Sequence, residues 1–178
     1  MANITEIQTL RDTTQQTVIK LTGMFDGSGQ ESNTGRIVAG SLAGALDNIG
    51  VPMRALTSTN VALSFYGLSV TRIEYNINMP STATPGYLRL NWGGAAGSNG
   101  TIVVLGNGSG SIGNEHAESI VNPLAPLGGG GIGITSVGAT IGSSYTIILE
   151  LRKDNAHFSR GQHADPAAFN YSPYNLTP

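Results

Sequence analysis

Three stretches of the chain alternate polar and apolar residues with a period of two, the mark of a strand with one buried face. In "VTRIEYNINM", Thr71, Ile73, Tyr75, Ile77 and Met79 point one way, and Arg72, Glu74, Asn76 and Asn78 the other. "GYLRLNW" sets Leu88, Leu90 and Trp92 against Tyr87, Arg89 and Asn91. "YTIILELRK" sets Tyr145, Ile147, Leu149 and Leu151 against Thr146, Ile148, Glu150 and Arg152. Four more β-rich runs, "QTVIKLTGMF", "VALSFYG", "TIVVLG" and "IGITSVG", are bounded by Gly, Asn, Asp or Pro. Seven or more short strands are expected.

Helical spacing is confined to "AGSLAGALDNIG", where Leu42, Ala45, Leu46 and Ile49 share a face and Gly50 can close the helix. An α/β architecture needs amphipathic crossover helices, and the pattern offers none. The predicted fold is therefore all-β: an antiparallel β-sandwich of jelly-roll type over residues 1–153. The loops from Gly93 to Gly100 and from Pro123 to Gly133 are too rich in glycine to be stiff by themselves.

Composition adds a constraint on the surface. Of 178 residues only 11% are charged, against roughly 25% in an average soluble domain, and 25 are glycine. Such a surface is mostly neutral polar, or it is covered. A net charge of −2 gives no basic patch for a phosphate backbone, so direct nucleic-acid binding is not expected. The absence of cysteine excludes disulfides and thiolate metal sites. The start, "MANITEIQTLRDTT", is polar where a secretory signal is apolar, and no run approaches the ~20 apolar residues of a membrane helix. Folding in a cytosol is the expectation. The sequons at Asn3, Asn99, Asn107 and Asn175 then follow from composition alone.

Candidate chemistry is thin. Gly108, Gly110 and Gly113 spell G-x-G-x-x-G, but Pro123, Pro126 and a run of four glycines stand where a dinucleotide fold needs a helix. After Glu118 no acid follows until Glu150, so a β-turn loop is the expected structure there. His116, His157 and His163 lack the close pairing of a zinc site. "DGSGQES", with Asp26, Ser28 and Glu31, lacks the late bidentate Glu of a calcium loop and reads as a turn. No nucleophile elbow is present, and no catalytic, metal or cofactor site is expected.

Residues 154–178 break the pattern. Alternation stops after Lys153, and Pro166, Pro173 and Pro178 keep the backbone extended. Yet Phe158, Phe169, Tyr171 and Tyr174 are more aromatic than disordered tails usually are. An extended C-terminal arm is the reading, with these four as anchors on a partner and His157, Arg160 and His163 at the rim of the contact. Its 25 residues beyond Lys153 can reach about 80–90 Å at 3.3–3.6 Å per residue.

The opening "MANITEIQTLRDTTQQTVIKLTGMFDGSGQES", the mid-chain "VTRIEYNI" and the late "SSYTIILELRK" resemble small virion structural proteins of tailed bacteriophages. The resemblance covers roughly residues 1–153, and the arm departs from the shorter members. It implies a non-enzymatic capsid decoration or cement protein, assembled in the host cytoplasm into the virion. The implied partners are the major capsid protein or other virion proteins. Sparse charge adds a homo-oligomer, with a trimer as the expected count. Alternatives are a tail- or fibre-associated protein, or a carbohydrate-binding β-sandwich using Trp92 and Tyr87; the alternating face of Trp92 argues for core packing instead.

Overall fold

A computed structural model describes residues 3–27, 30–32, 34–45, 68–80, 85–93, 100–113, 119–121 and 131–154. Ten strands run through them: β1 (Ile4–Asp12), β2 (Gln16–Met24), β3 (Thr34–Ile37), β4 (Leu68–Asn78), β5 (Tyr87–Trp92), β6 (Thr101–Gly106), β7 (Gly108–Ile112), β8 (Ile120–Val121), β9 (Ile132–Val137) and β10 (Ser144–Lys153). They form two antiparallel sheets. The larger has the order β1-β2-β10-β4-β7, with β8 also on β4; the smaller has the order β3-β9-β5-β6. One contiguous core joins the two, with Ile19, Leu21, Ile73 and Leu149 from the larger sheet and Leu88, Leu90, Trp92 and Ile134 from the smaller. The all-β expectation holds. The run "VALSFYG" lies outside the described residues.

Period-two patterning explains the central strands. Tyr145, Ile147, Leu149 and Leu151 of β10 are buried, as expected, opposite Gly23, Leu21, Ile19 and Thr17 of β2. On β5, Leu88, Leu90 and Trp92 are completely buried. The indole of Trp92 is thus core, and it offers no stacking platform to a sugar. On β4 the alternation slips once. Leu68 and Val70 are buried, then Ile73, Ile77 and Met79, while Thr71 is only half-buried. The cause is a bulge, because Glu150 pairs with Arg72 and the next residue, Leu151, pairs with Val70. Thr71 is the extra residue, and its hydroxyl donates to the Glu150 carbonyl at 3.0 Å. Strict alternation placed Thr71 on the buried face; the bulge hands that place to Val70.

Two further expectations are corrected. The G-x-G-x-x-G tract is largely strand: β7 pairs with β4 from Ile73↔Ile112 to Ile77↔Gly108. At Asn107 the chain passes from the smaller sheet to the larger, and the Asn107 amide oxygen accepts the Met79 N–H at 2.8 Å. The helix expected from Ala39 to Gly50 is also absent over its described part. A 3₁₀ turn spans Ala39–Ser41, Leu42 is extended, and Gly44 takes φ 78°. Ala39, Leu42 and Ala45 still enter the core, so the apolar spacing reports burial without helix. Residues 46–50 lie outside the described residues.

Two tyrosines in the larger sheet lie across from glycines. Tyr145 faces Gly23, and Tyr75 faces Gly110. A Cβ on Gly23 would overlap the Tyr145 ring, and one on Gly110 would sit 2.7 Å from the Tyr75 hydroxyl. Each ring thus covers a strand position that has no side chain of its own. Gly23→Ala is expected to cost about 1–3 kcal/mol in urea unfolding, the usual price of overpacking. The cost should shrink in a Tyr145→Val background, where the ring is gone; an equal cost in both backgrounds refutes the steric origin.

Candidate functional site

Two polar clusters mark the ends of β10. At its start, the Tyr145 hydroxyl donates to Glu31 Oε1 at 3.1 Å. The same oxygen lies 2.8 Å from Arg36 Nη2, and Arg36 Nη1 donates to Thr5 Oγ1 at 3.1 Å. The backbone of Glu31 is fixed as well: its N–H donates to Ser136 Oγ at 2.7 Å, and its carbonyl accepts from the Ser136 N–H at 2.8 Å. Arg36 belongs to β3 and Ser136 to β9, whereas Thr5 and Tyr145 belong to the larger sheet. Glu31 therefore ties the two sheets together through a buried ion pair. Sequence patterning placed it in a turn and gave it no such role. Burial pushes the Tyr145 phenol well above its ordinary range, and the adjacent Glu31 carboxylate pushes it further.

At the other end, the Lys153 ammonium is fully buried. It donates to Asp12 Oδ1 at 2.5 Å, to the Thr13 carbonyl at 2.6 Å and to the Ala43 carbonyl at 2.8 Å. The other Asp12 oxygen accepts the Ala43 N–H at 2.7 Å. Burial draws the ammonium below the usual lysine range, while the bond and charge of Asp12 work against that shift. With three acceptors around it, Nζ has every proton placed. The cluster joins the β1–β2 hairpin, the 3₁₀ segment and β10 at one point. It fixes the end of β10, and Asp154 beyond it is exposed.

The arm residues His157, Phe158, Arg160, His163, Phe169, Tyr171 and Tyr174 lie outside the described residues, as does His116. Among the described residues, no group of three or more His, Cys, Asp or Glu side chains is placed to hold a metal ion. No helix among them is long and apolar enough to cross a membrane.

The described surface does carry an unusual strand. All nine residues of β1 are exposed or half-buried. Register with β2 puts Thr5, Ile7 and Thr9 on the side of buried Gly23, Leu21 and Ile19, and Ile4, Glu6 and Gln8 on the opposite side. Ile4 (61%), Ile7 (47%) and Leu10 (49%) keep about half of their surface in water. Ile4 also pairs with Met24, itself exposed, so both faces at this margin carry apolar surface. No family model matches the chain, and neither curated proteins nor solved structures gave a match.

Two outcomes follow from the clusters. Removing one partner of a buried pair costs about 3–5 kcal/mol, and Asp12 keeps 22% exposure, so Lys153→Ala is expected to lose about 2–3 kcal/mol. Arg152→Ala, at an exposed neighbouring position, should stay within about 0.5 kcal/mol. Chemical denaturation of both variants checks the contrast.

For Tyr145 the sign runs through the proton. The folded chain keeps the phenolic proton at pH values where the unfolded chain, with a tyrosine pKa of about 10, releases it. Its contribution is full below about pH 10 and is lost as pH rises beyond. Tyr145→Phe should be about 1.5–3 kcal/mol less stable at pH 8, the worth of a bond to a charged group. That gap should narrow between pH 10 and 11.5, and a constant gap refutes the assignment.

Proposed function

We propose that the chain is a non-enzymatic structural protein of a bacteriophage particle, most simply a capsid decoration or cement protein that binds neighbouring virion subunits. The observation that carries this reading is β1, a nine-residue edge strand with apolar surface on both faces. A lone soluble domain gains nothing from that strand's exposure, whereas an assembly component uses it as contact area. The sparse charge of the sequence and its resemblance to small virion proteins point the same way. Self-association belongs to the reading.

The arm supplies the second contact in this scheme. It starts from the point fixed by Lys153, and its aromatics each bury ~150 Å² on a neighbour, about 3–4 kcal/mol gross at 25 cal/mol/Å² before ordering costs. A location in the tail or on a fibre uses the same physics and differs only in the partner. The sugar-binding alternative loses its main platform with the burial of Trp92.

An antibody against the chain is expected to label purified tailed-phage particles from its source and to travel with them through a density gradient. The full-length chain with Phe158, Phe169, Tyr171 and Tyr174 all changed to Ala should melt at an unchanged temperature yet lose particle occupancy. Particles that never carry the label overturn the proposal. Unchanged occupancy of the quadruple variant overturns the role of the arm.

A further inference from the structure

Among the described residues, β1 pairs only with β2, so its second edge has no strand partner. Natural edge strands of this length are usually blunted by charged side chains, lysine above all, by proline or by bulges, and the charges of β1, Glu6, Arg11 and Asp12, include both signs. β1 contains neither lysine nor proline. Its one irregularity is a bulge at Leu10, between Thr9↔Ile19 and Arg11↔Val18.

We propose that two copies of the chain join through their β1 edges, antiparallel about a two-fold axis at Gln8, to form one continuous sheet. The sequence of β1 is self-complementary about that residue. Counting the Leu10–Arg11 bulge as one position, Gln8 faces Gln8 of the second copy, Ile7 faces Thr9, Glu6 faces Arg11 and Thr5 faces Asp12. Every pair is consistent in its face: Glu6, Gln8 and Arg11 lie on the outer side with Thr22, Lys20 and Val18, while Thr5, Ile7, Thr9 and Asp12 lie on the inner side. Two Glu6–Arg11 pairs form across the axis, and the two Gln8 amides meet, each with a donor and an acceptor. On the inner side the half-exposed Ile7 residues become diagonal neighbours across the same axis.

Other registers fare worse. An axis at Ile7 puts Glu6 opposite Gln8 and leaves Arg11 without an acid. An axis at Thr9 puts Ile7 opposite Asp12. An axis between two residues sets inner side chains against outer ones throughout. The contact is isologous, so it closes at two copies and does not propagate as a fibre. It stands independently of where the assembled protein acts.

The chain has no cysteine, so a single introduced thiol reports cleanly. Residues directly opposite across an antiparallel pair bring Cβ atoms to about 4.5–5.5 Å, close to disulfide reach. Full-length Gln8→Cys under mild oxidation is expected to form a disulfide dimer readily, and Thr22→Cys on the neighbouring strand is not. In sedimentation velocity, Glu6→Arg should weaken the dimer about tenfold, and Glu6→Arg with Arg11→Glu should restore it. A wild-type chain that sediments as a monomer at every concentration overturns the proposal. So does a dimer in which Gln8→Cys fails to cross-link or Glu6→Arg has no effect, since copies then meet elsewhere. A unique trimer in sedimentation, with no Gln8→Cys cross-link, overturns it in favour of a three-fold contact.

Discussion

The larger sheet depends on β10. It pairs on both sides along nearly its whole length, with β2 on one flank and β4 on the other, and so links the β1–β2 hairpin to the rest of the sheet. Its inner side chains, from Tyr145 to Leu151, are the buried middle of the core. Its two ends are pinned by charge, Tyr145 to the Glu31–Arg36 pair and Lys153 to Asp12. Hydrophobic burial is non-directional and tolerates sliding of one sheet over another. The two polar clusters supply what burial lacks, a fixed register at each end, because a slip strands a buried charge.

The Lys153 cluster also decides the local conformation of residues 39–45. A helix there needs the N–H and C=O groups of Ala43 for its own ladder. Instead Asp12 accepts the N–H and Lys153 donates to the carbonyl. Gly44 at φ 78° and extended Leu42 complete the departure. Ala39, Leu42 and Ala45 remain buried, so the apolar spacing that suggests a helix is satisfied by a looser turn. Tertiary hydrogen bonds to a buried ion pair outweigh a weak helical preference that includes two glycines.

Legibility in the sequence followed burial of one face. β4, β5 and β10 were readable because one side of each is core, and β2, β6 and β9 because they are β-rich runs between turn residues. Thr71 shows the limit, since a bulge shifts the period by one without leaving a mark in the composition. β7 was hidden for a different reason: Gly108, Ser109, Gly110 and Ser111 bring almost no side chain, and the cover comes from Tyr75 on the neighbouring strand. Glu31 was invisible because its partners, Arg36 and Tyr145, are 5 and 114 positions away and meet only in the fold. The arm residues proposed as anchors lie outside the described residues.

β1 was missed because it buries neither face. Ile4, Ile7 and Leu10 recur every third residue, a spacing that matches no strand with a single buried side. In the structure that spacing places Ile4 outward, Ile7 inward and Leu10 in the bulge. Fixing the backbone of each residue costs roughly 1–2 kcal/mol, and a hydrogen bond returns only about 0.5–1.5 kcal/mol net. A strand that, among the described residues, is bonded along one edge, with its apolar side chains half in water, has little to offset that cost. Arg36 holds Thr5 near one end, and Lys153 holds Asp12 and Thr13 at the other. Between those two anchors the strand is extended and in register but only half used. In the proposed dimer both copies present an edge kept in that state, so their pairing requires little further ordering of backbone on either side.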